Sequence, residues 1–283
     1  MNKNNFILNR LFTRNIFEKL LKYQTEKVYN SIISQYCSDD IEEKNIELLK
    51  NIYRYMSKNY RNEYFYQNTL FNKLLLGRHS LNTTVALTQV PVGKSKADFI
   101  MINGKAVVYE IKTELDSFDR LKNQIENYYK GFNLVCVVTC EKNLKKLLEL
   151  LEDTKIGVYV LTDKKNTLSL KKEIEENNDF LDYEVIFKYL RKKEFENILI
   201  KYFKELPKVP PVFYYTKCLE WIKKIEITVF YNLAIKELKK RNDINKELFN
   251  EIPYELKSLV YFYNPSVKEY YELNNFLKNE YRG

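Results

Sequence analysis

The stretch Lys94-Ser95-Lys96-Ala97-Asp98-Phe99-Ile100-Met101-Ile102-Asn103-Gly104-Lys105-Ala106-Val107-Val108-Tyr109-Glu110-Ile111-Lys112 decides how this chain is read. Asn103-Gly104 between two largely apolar runs is a strong short-range hairpin signal. Asp98, Glu110 and Lys112 interrupt strands that are otherwise apolar. Two carboxylates on neighbouring strands can chelate a hard divalent cation. A lysine two residues after the second carboxylate shares its face, because strand side chains alternate. Metal-assisted phosphodiester hydrolysis needs that set: a cation to polarise the phosphate and activate water, and a positive group beside the developing charge.

Register decides whether the three groups meet. A two-residue Asn103-Gly104 loop pairs Ile102 with Lys105 and turns Asp98 away from Glu110. A three-residue loop, Asn103 to Lys105, pairs Ile102 with Ala106 and puts Asp98, Glu110 and Lys112 on one face. The second register, or an equivalent bulge, is expected, with Gly104 able to supply the left-handed position. The competing reading of the same residues is a solvated polar strand edge on which Glu110 and Lys112 merely pair.

Helical spacing precedes the hairpin. Residues 5–36 read as one helix. Ser38-Asp39-Asp40 reads as a cap before a second helix, about 41–55, and a third starts near Ser57 and stops at Gly77. Then the period shortens. Strands are expected at 84–90, ended by Pro91, and at 97–102 and 106–112. A helix over 116–131 follows, with Asp116 or Ser117 as its cap. The apolar run 134–139 reads as a strand covered on both faces. A helix at 142–152 and strands at 156–161 and near 167–171 complete the pattern. From Leu181 onward only helical patterns appear. The order implies an α/β fold: a mixed sheet with helices on both faces, flanked by helical regions at either end. The corresponding divisions are 1–56, 57–172 and 181–283.

Composition narrows the chemistry. The 283 residues include one histidine, four cysteines and 45% hydrophobic residues, with a formal net charge of +9. One histidine excludes zinc fingers and histidine-metal nucleases, and leaves oxygen ligands for Mg²⁺, Mn²⁺ or Ca²⁺. The positive balance fits an anionic partner, yet it is diffuse: residues 1–60, 61–140 and 141–283 each carry a surplus of three. A lysine-rich solvated surface accounts for it as readily as a nucleic-acid footprint. Cys37, Cys136, Cys140 and Cys218 form no Cys-x-x-Cys pair, which fits a reducing, cytoplasmic setting. Phe6-Ile7-Leu8 is broken by Asn9 and Arg10, so it is not the core of a signal peptide. No apolar run approaches the ~18 residues of a membrane span.

With Asp98 as first acid and Glu110-Ile111-Lys112 as second acid and lysine, the hairpin resembles the PD-(D/E)XK nuclease superfamily. Ala97 stands where a proline usually precedes the Asp. The element order resembles that superfamily's restriction-endonuclease-like core. Gln124-Ile125-Glu126-Asn127-Tyr128 is similar to the Gln-x-x-x-Tyr motif of its RecB-like branch. Residues from about 60 to 140 more closely resemble a family of bacterial and phage-associated proteins sharing Lys-Ser-Lys/Arg-Ala-Asp, Tyr-Glu-Ile-Lys and Arg-Leu-x-x-Gln-x-x-x-Tyr segments. Here these are Lys94–Asp98, Tyr109–Lys112 and Arg120–Tyr128. The matches cover under half of the chain.

The resemblance implies a Mg²⁺- or Mn²⁺-dependent nuclease acting on DNA, with RNA as an alternative substrate, in phage defence or mobile-element biology. It implies that Asp98, Glu110 and the Ile111 carbonyl bind the metal and that Lys112 orients or activates water. Glu63, on the helix before the hairpin, is the candidate for completing the metal shell; otherwise it is a solvated glutamate favoured near a helix N-terminus. Gln124 would bond to the site and Tyr128 would face it from the same side of the helix; the ordinary alternative is a packing stripe with Leu121 and Ile125. Lys94, Ser95 and Lys96 are candidate phosphate contacts, or an exposed loop. His79 reads as a surface histidine, and Asp116 and Asp119 as caps.

Aromatic residues among lysines in 181–283 favour a helical core with a lysine rim over a base-stacking surface. A second function class remains open: a nuclease-like fold kept as a nucleic-acid-binding or regulatory module without hydrolysis. A buried Glu110–Lys112 or Glu110–Tyr pair with no room for a cation would favour it. Oligomeric state and cleavage specificity are not encoded legibly.

Overall fold

A computed structural model describes residues 5–37, 43–241 and 243–281. The chain divides into two compact units, Met1–Arg78 with Asp163–Thr167 and Ile244–Gly283, and His79–Thr162 with Leu168–Asp243. The helical stretch before the hairpin therefore groups with the N-terminal helices. The helical region after Leu181 is divided at Asp243.

In the first unit the single helix expected over 5–36 is three: α1 (Leu8–Leu11), α2 (Arg14–Tyr23) and α3 (Lys27–Tyr36). Neither break carries Gly or Pro. After α2 the chain turns at Gln24, which takes a left-handed φ of 57°, and Glu26 restarts the helix by accepting the N–H groups of Val28 and Tyr29. The Ser38-Asp39-Asp40 cap lies outside the described residues. The second helix, α4, is Asn45–Asn59, and α5 is Glu63–Leu70, running on through a π-helical stretch at Phe71–Leu76.

The second unit is built on a sheet of β1 (Val85–Val92), β2 (Ser95–Asn103), β3 (Lys105–Lys112), β4 (Leu134–Cys140), β5 (Gly157–Leu161) and β6 (Leu168–Lys172), in that spatial order. The first three strands are antiparallel, β3, β4 and β5 run parallel, and β6 returns antiparallel. The sheet is open and mixed, with helices around it, as the order of elements implies. β1 does not stop at Pro91. It continues to Val92, with Pro91 opposite Lys96. β1 is an edge strand, where a missing N–H removes no ladder bond on the open side.

Helix α6 (Leu121–Tyr129) links β3 to β4, and α7 (Glu141–Leu150) links β4 to β5. α6 starts five residues later than Asp116 because Asp116 points backwards. Its Oδ2 accepts the Thr113 N–H at 2.8 Å and the Thr113 hydroxyl at 2.7 Å, which ends β3 instead of capping a helix. Helices α8 (Tyr183–Tyr189), α9 (Lys192–Phe203), α10 (Pro211–Ile222) and α11 (Ile227–Leu238) complete the layer. Its core joins Ile100, Ile102, Ala106 and Val108 of the hairpin to Val135, Val137 and Val158 of the parallel strands, under Leu121, Ile125 and Tyr128 of α6.

The chain then returns to the first unit through α12 (Lys246–Asn250), α13 (Lys257–Tyr263) and α14 (Val267–Lys278), where α14 packs on α2 and α4. Among the described residues, no helix is long and apolar enough to cross a membrane.

Candidate active site

The β2–β3 register pairs Ile102 with Ala106, Ile100 with Val108 and Phe99 with Tyr109, with Gly104 alone between Asn103 and Lys105 at a φ of 75°. This is the register that puts Asp98, Glu110 and Lys112 on one face. Asp98 stands one position beyond the last paired residues. There its side chain replaces the ladder: Asp98 Oδ2 accepts the Ile111 N–H at 3.0 Å. The two strands thus part at the point where the charged residues begin, with a carboxylate bridging the fork.

On β3 the row Ala106, Val108, Glu110, Lys112 leaves the core under α6 and becomes polar. Glu110 is 1% exposed and Lys112 is 7% exposed, so neither forms the solvated strand edge of the competing reading. Lys112 Nζ lies 2.9 Å from Glu110 Oε1. Gln124 links the two, donating from Nε2 to Glu110 Oε1 at 2.6 Å and accepting from Lys112 Nζ at Oε1, 2.9 Å. Tyr128 OH lies 2.5 Å from Glu110 Oε2 and 2.8 Å from the Lys96 carbonyl. Burial first, and then the charge of Glu110, hold the Tyr128 phenol far above its ordinary pKa, so it stays protonated. Gln124 and Tyr128, four residues apart on α6, reach the site together. Thr139 Oγ1 of β4 donates to the Lys112 carbonyl at 2.9 Å and fixes the end of β3.

Ser95 and Lys96 enter the same neighbourhood through the start of β2. Asn127 Nδ2 donates to Ser95 Oγ at 3.2 Å, and Asn127 Oδ1 accepts the Lys94 N–H at 3.2 Å. Asn127 escapes a reading tuned to carboxylates and lysine. The available signal was its place three residues after Gln124, on the same helix face. Glu63 is the first residue of α5, in the first unit. His79 is bonded to Asn103 at 2.8 Å, at the turn end of the hairpin. Asp119 accepts the Ser117 hydroxyl at 2.8 Å in the loop before α6.

If they served as metal ligands, Asp98, Glu110 and the Ile111 carbonyl would make an all-oxygen donor set of the kind a hard cation takes. No cluster of three or more His, Cys, Asp or Glu side chains occurs among the described residues, so such a cation would complete its shell with water and phosphate oxygens. Glu110 already accepts from Gln124, Lys112 and Tyr128, which engages three of the about four lone-pair positions of a carboxylate.

The family model described as "Bacteriophage P4 protein cII" matches residues 56–259, well over half of the chain, and the chain belongs to that family. No curated protein matches. One solved structure, the SPO1766 protein of unknown function from Silicibacter pomeroyi, aligns over 45% of this chain and 86% of its own. Its identity is 11% and its TM-score 0.30, too slight to carry an argument.

Proposed function

We propose that this member of the bacteriophage P4 cII family is a Mg²⁺- or Mn²⁺-dependent nuclease of the PD-(D/E)XK type that hydrolyses DNA phosphodiester bonds. The observation that carries the reading is the fork between β2 and β3. It sets the Asp98 carboxylate on the Ile111 N–H and directs Glu110, Lys112 and Gln124 into one bonded group. Asp98, Glu110 and the Ile111 carbonyl would hold the cation, which would polarise the phosphate and activate water. Lys112, two residues from Glu110 and bonded to it, is placed to orient that water or stabilise the developing charge. Gln124 and Tyr128 keep Glu110 oriented, and Lys94, Ser95 and Lys96 lie on the approach to Asp98. The phage origin of the family name fits a role in phage or mobile-element biology within the cytoplasm.

A second reading rests on the same atoms. Glu110 is ion-paired with Lys112 and bonded by Tyr128 and Gln124, which supports the reading of a nuclease-like fold that binds without cutting. Purified protein incubated with plasmid, linear duplex, single-stranded DNA or RNA and Mg²⁺ or Mn²⁺ separates the two. Cleavage that is lost in Glu110→Ala and Lys112→Ala, with both variants folded by circular dichroism, supports the nuclease. Cleavage that survives both changes moves the site elsewhere. Binding without cleavage supports the second reading.

A further inference from the structure

The turn between β1 and β2 joins the site through α6. Gly93 takes a φ of 59°, and a Cβ added there would meet Asn127 Oδ1 at 2.5 Å. The turn backbone is therefore pressed against that side chain. Asn127 uses both ends of its carboxamide: Oδ1 accepts the Lys94 N–H, and Nδ2 donates to Ser95 Oγ. The same Nδ2 is anchored on its own helix by the Asn123 carbonyl at 2.7 Å. One residue on, Tyr128 holds the Lys96 carbonyl. Two consecutive residues of α6 thus bond Lys94 of the turn and Ser95 and Lys96 at the start of β2. What the turn presents is charge. Lys94 and Lys96 are exposed, and neither enters an ion pair among the described residues. Each is a cation whose backbone is held rigidly and whose head is free.

Resting on the nucleic-acid reading above, we infer that Asn127 is a positioning residue: it holds the Gly93-Lys94 turn and the adjoining start of β2 so that Lys94 and Lys96 contact two backbone phosphates of the bound strand. The recognised chemistry is the phosphodiester backbone, not base identity, because the turn offers ammonium groups and a serine hydroxyl near Asp98. Holding the turn in advance lowers the ordering cost of the contact.

The test uses the full chain and labelled duplex DNA in EDTA, where binding is read without turnover. Lys94→Ala with Lys96→Ala should weaken binding several-fold and make the slope of log affinity against log salt shallower by about two. Asn127→Ala should weaken binding in the wild-type background and have little effect once both lysines are gone. That coupling separates positioning from general loss of structure. Equal weakening in both backgrounds, or none in the first, overturns the inference. Wild-type protein that binds but does not cut with Mg²⁺ defeats the nuclease reading and leaves this one standing. Wild-type protein that cuts DNA while Asn127→Ala leaves affinity unchanged does the reverse.

Discussion

Tyr128 places one hydroxyl hydrogen between two acceptors, the buried Glu110 carboxylate and the Lys96 carbonyl. Tyr128→Phe keeps the ring in the core and removes only that bridge. The expected result is a loss of about 1–3 kcal/mol in folding stability, read as a lower denaturant midpoint at an unchanged slope. No change in midpoint would mean that water replaces the hydroxyl. At this scale Asp98, Glu110 and Lys112 stood out as charged residues in apolar strands, whereas Gln124 and Tyr128 were singled out only by the resemblance to a Gln-x-x-x-Tyr motif, helical spacing alone allowing a packing stripe as readily. Asn127 was not legible, since its role depends on a turn conformation at Gly93 that has no pattern of its own. Nor was the backward aim of Asp116: a carboxylate before a helix can satisfy N–H groups on either side, and the sequence does not say which.

The hairpin shows why elements are read more easily than their ends. Alternation fixed the faces, and the demand that Asp98, Glu110 and Lys112 share one of them selected the register that is observed. Pro91 misled because a proline stops a central strand but not an edge strand, and edge position is a property of the whole sheet. Residues 5–36 misled for a similar reason: Gln24 turns left-handed without a glycine, so the apolar spacing ran unbroken across a real corner. The hairpin turn itself offers a clean measurement. Gly104 has a φ of 75°, and a Cβ there would meet nothing within 4 Å. Gly104→Ala should therefore cost only the backbone term, about 1–2 kcal/mol, and Gly104→Asn distinctly less. Equal losses for the two would show that something other than the left-handed conformation is being disturbed.

Across the second unit, one ion pair ties the helical layer together. Arg241 holds Glu194 of α9 through Nε at 2.7 Å and Nη2 at 2.6 Å, while Nη2 also meets the Tyr189 carbonyl at the end of α8 at 2.8 Å. Burial raises the Glu194 pKa, but the Arg241 hydrogen bonds, the Arg191 N–H and the two guanidinium charges outweigh it, and the carboxyl sits below its ordinary value of 4.5. The folded state then holds the ionised form better than the unfolded chain does. The pair's contribution is complete above that ordinary value and disappears as pH falls towards the lower folded one. Arg241→Met should lower stability at neutral pH by about 3 kcal/mol and remove this part of the acid sensitivity, measured as denaturant midpoints from pH 7 down to the acid limit. An unchanged pH profile would count against the pair. The division of the chain also sets a timetable. Everything in the second unit has been synthesised by Asp243, but the first unit joins Phe17 to Tyr263 and Tyr29 to Phe276. At roughly 5–20 residues per second, α1 to α5 spend on the order of ten seconds or more as nascent chain before the helices that cover them are made. Helices α1 to α5 emerge before α12 to α14, so their unit can finish packing only after the whole of the second unit has been made.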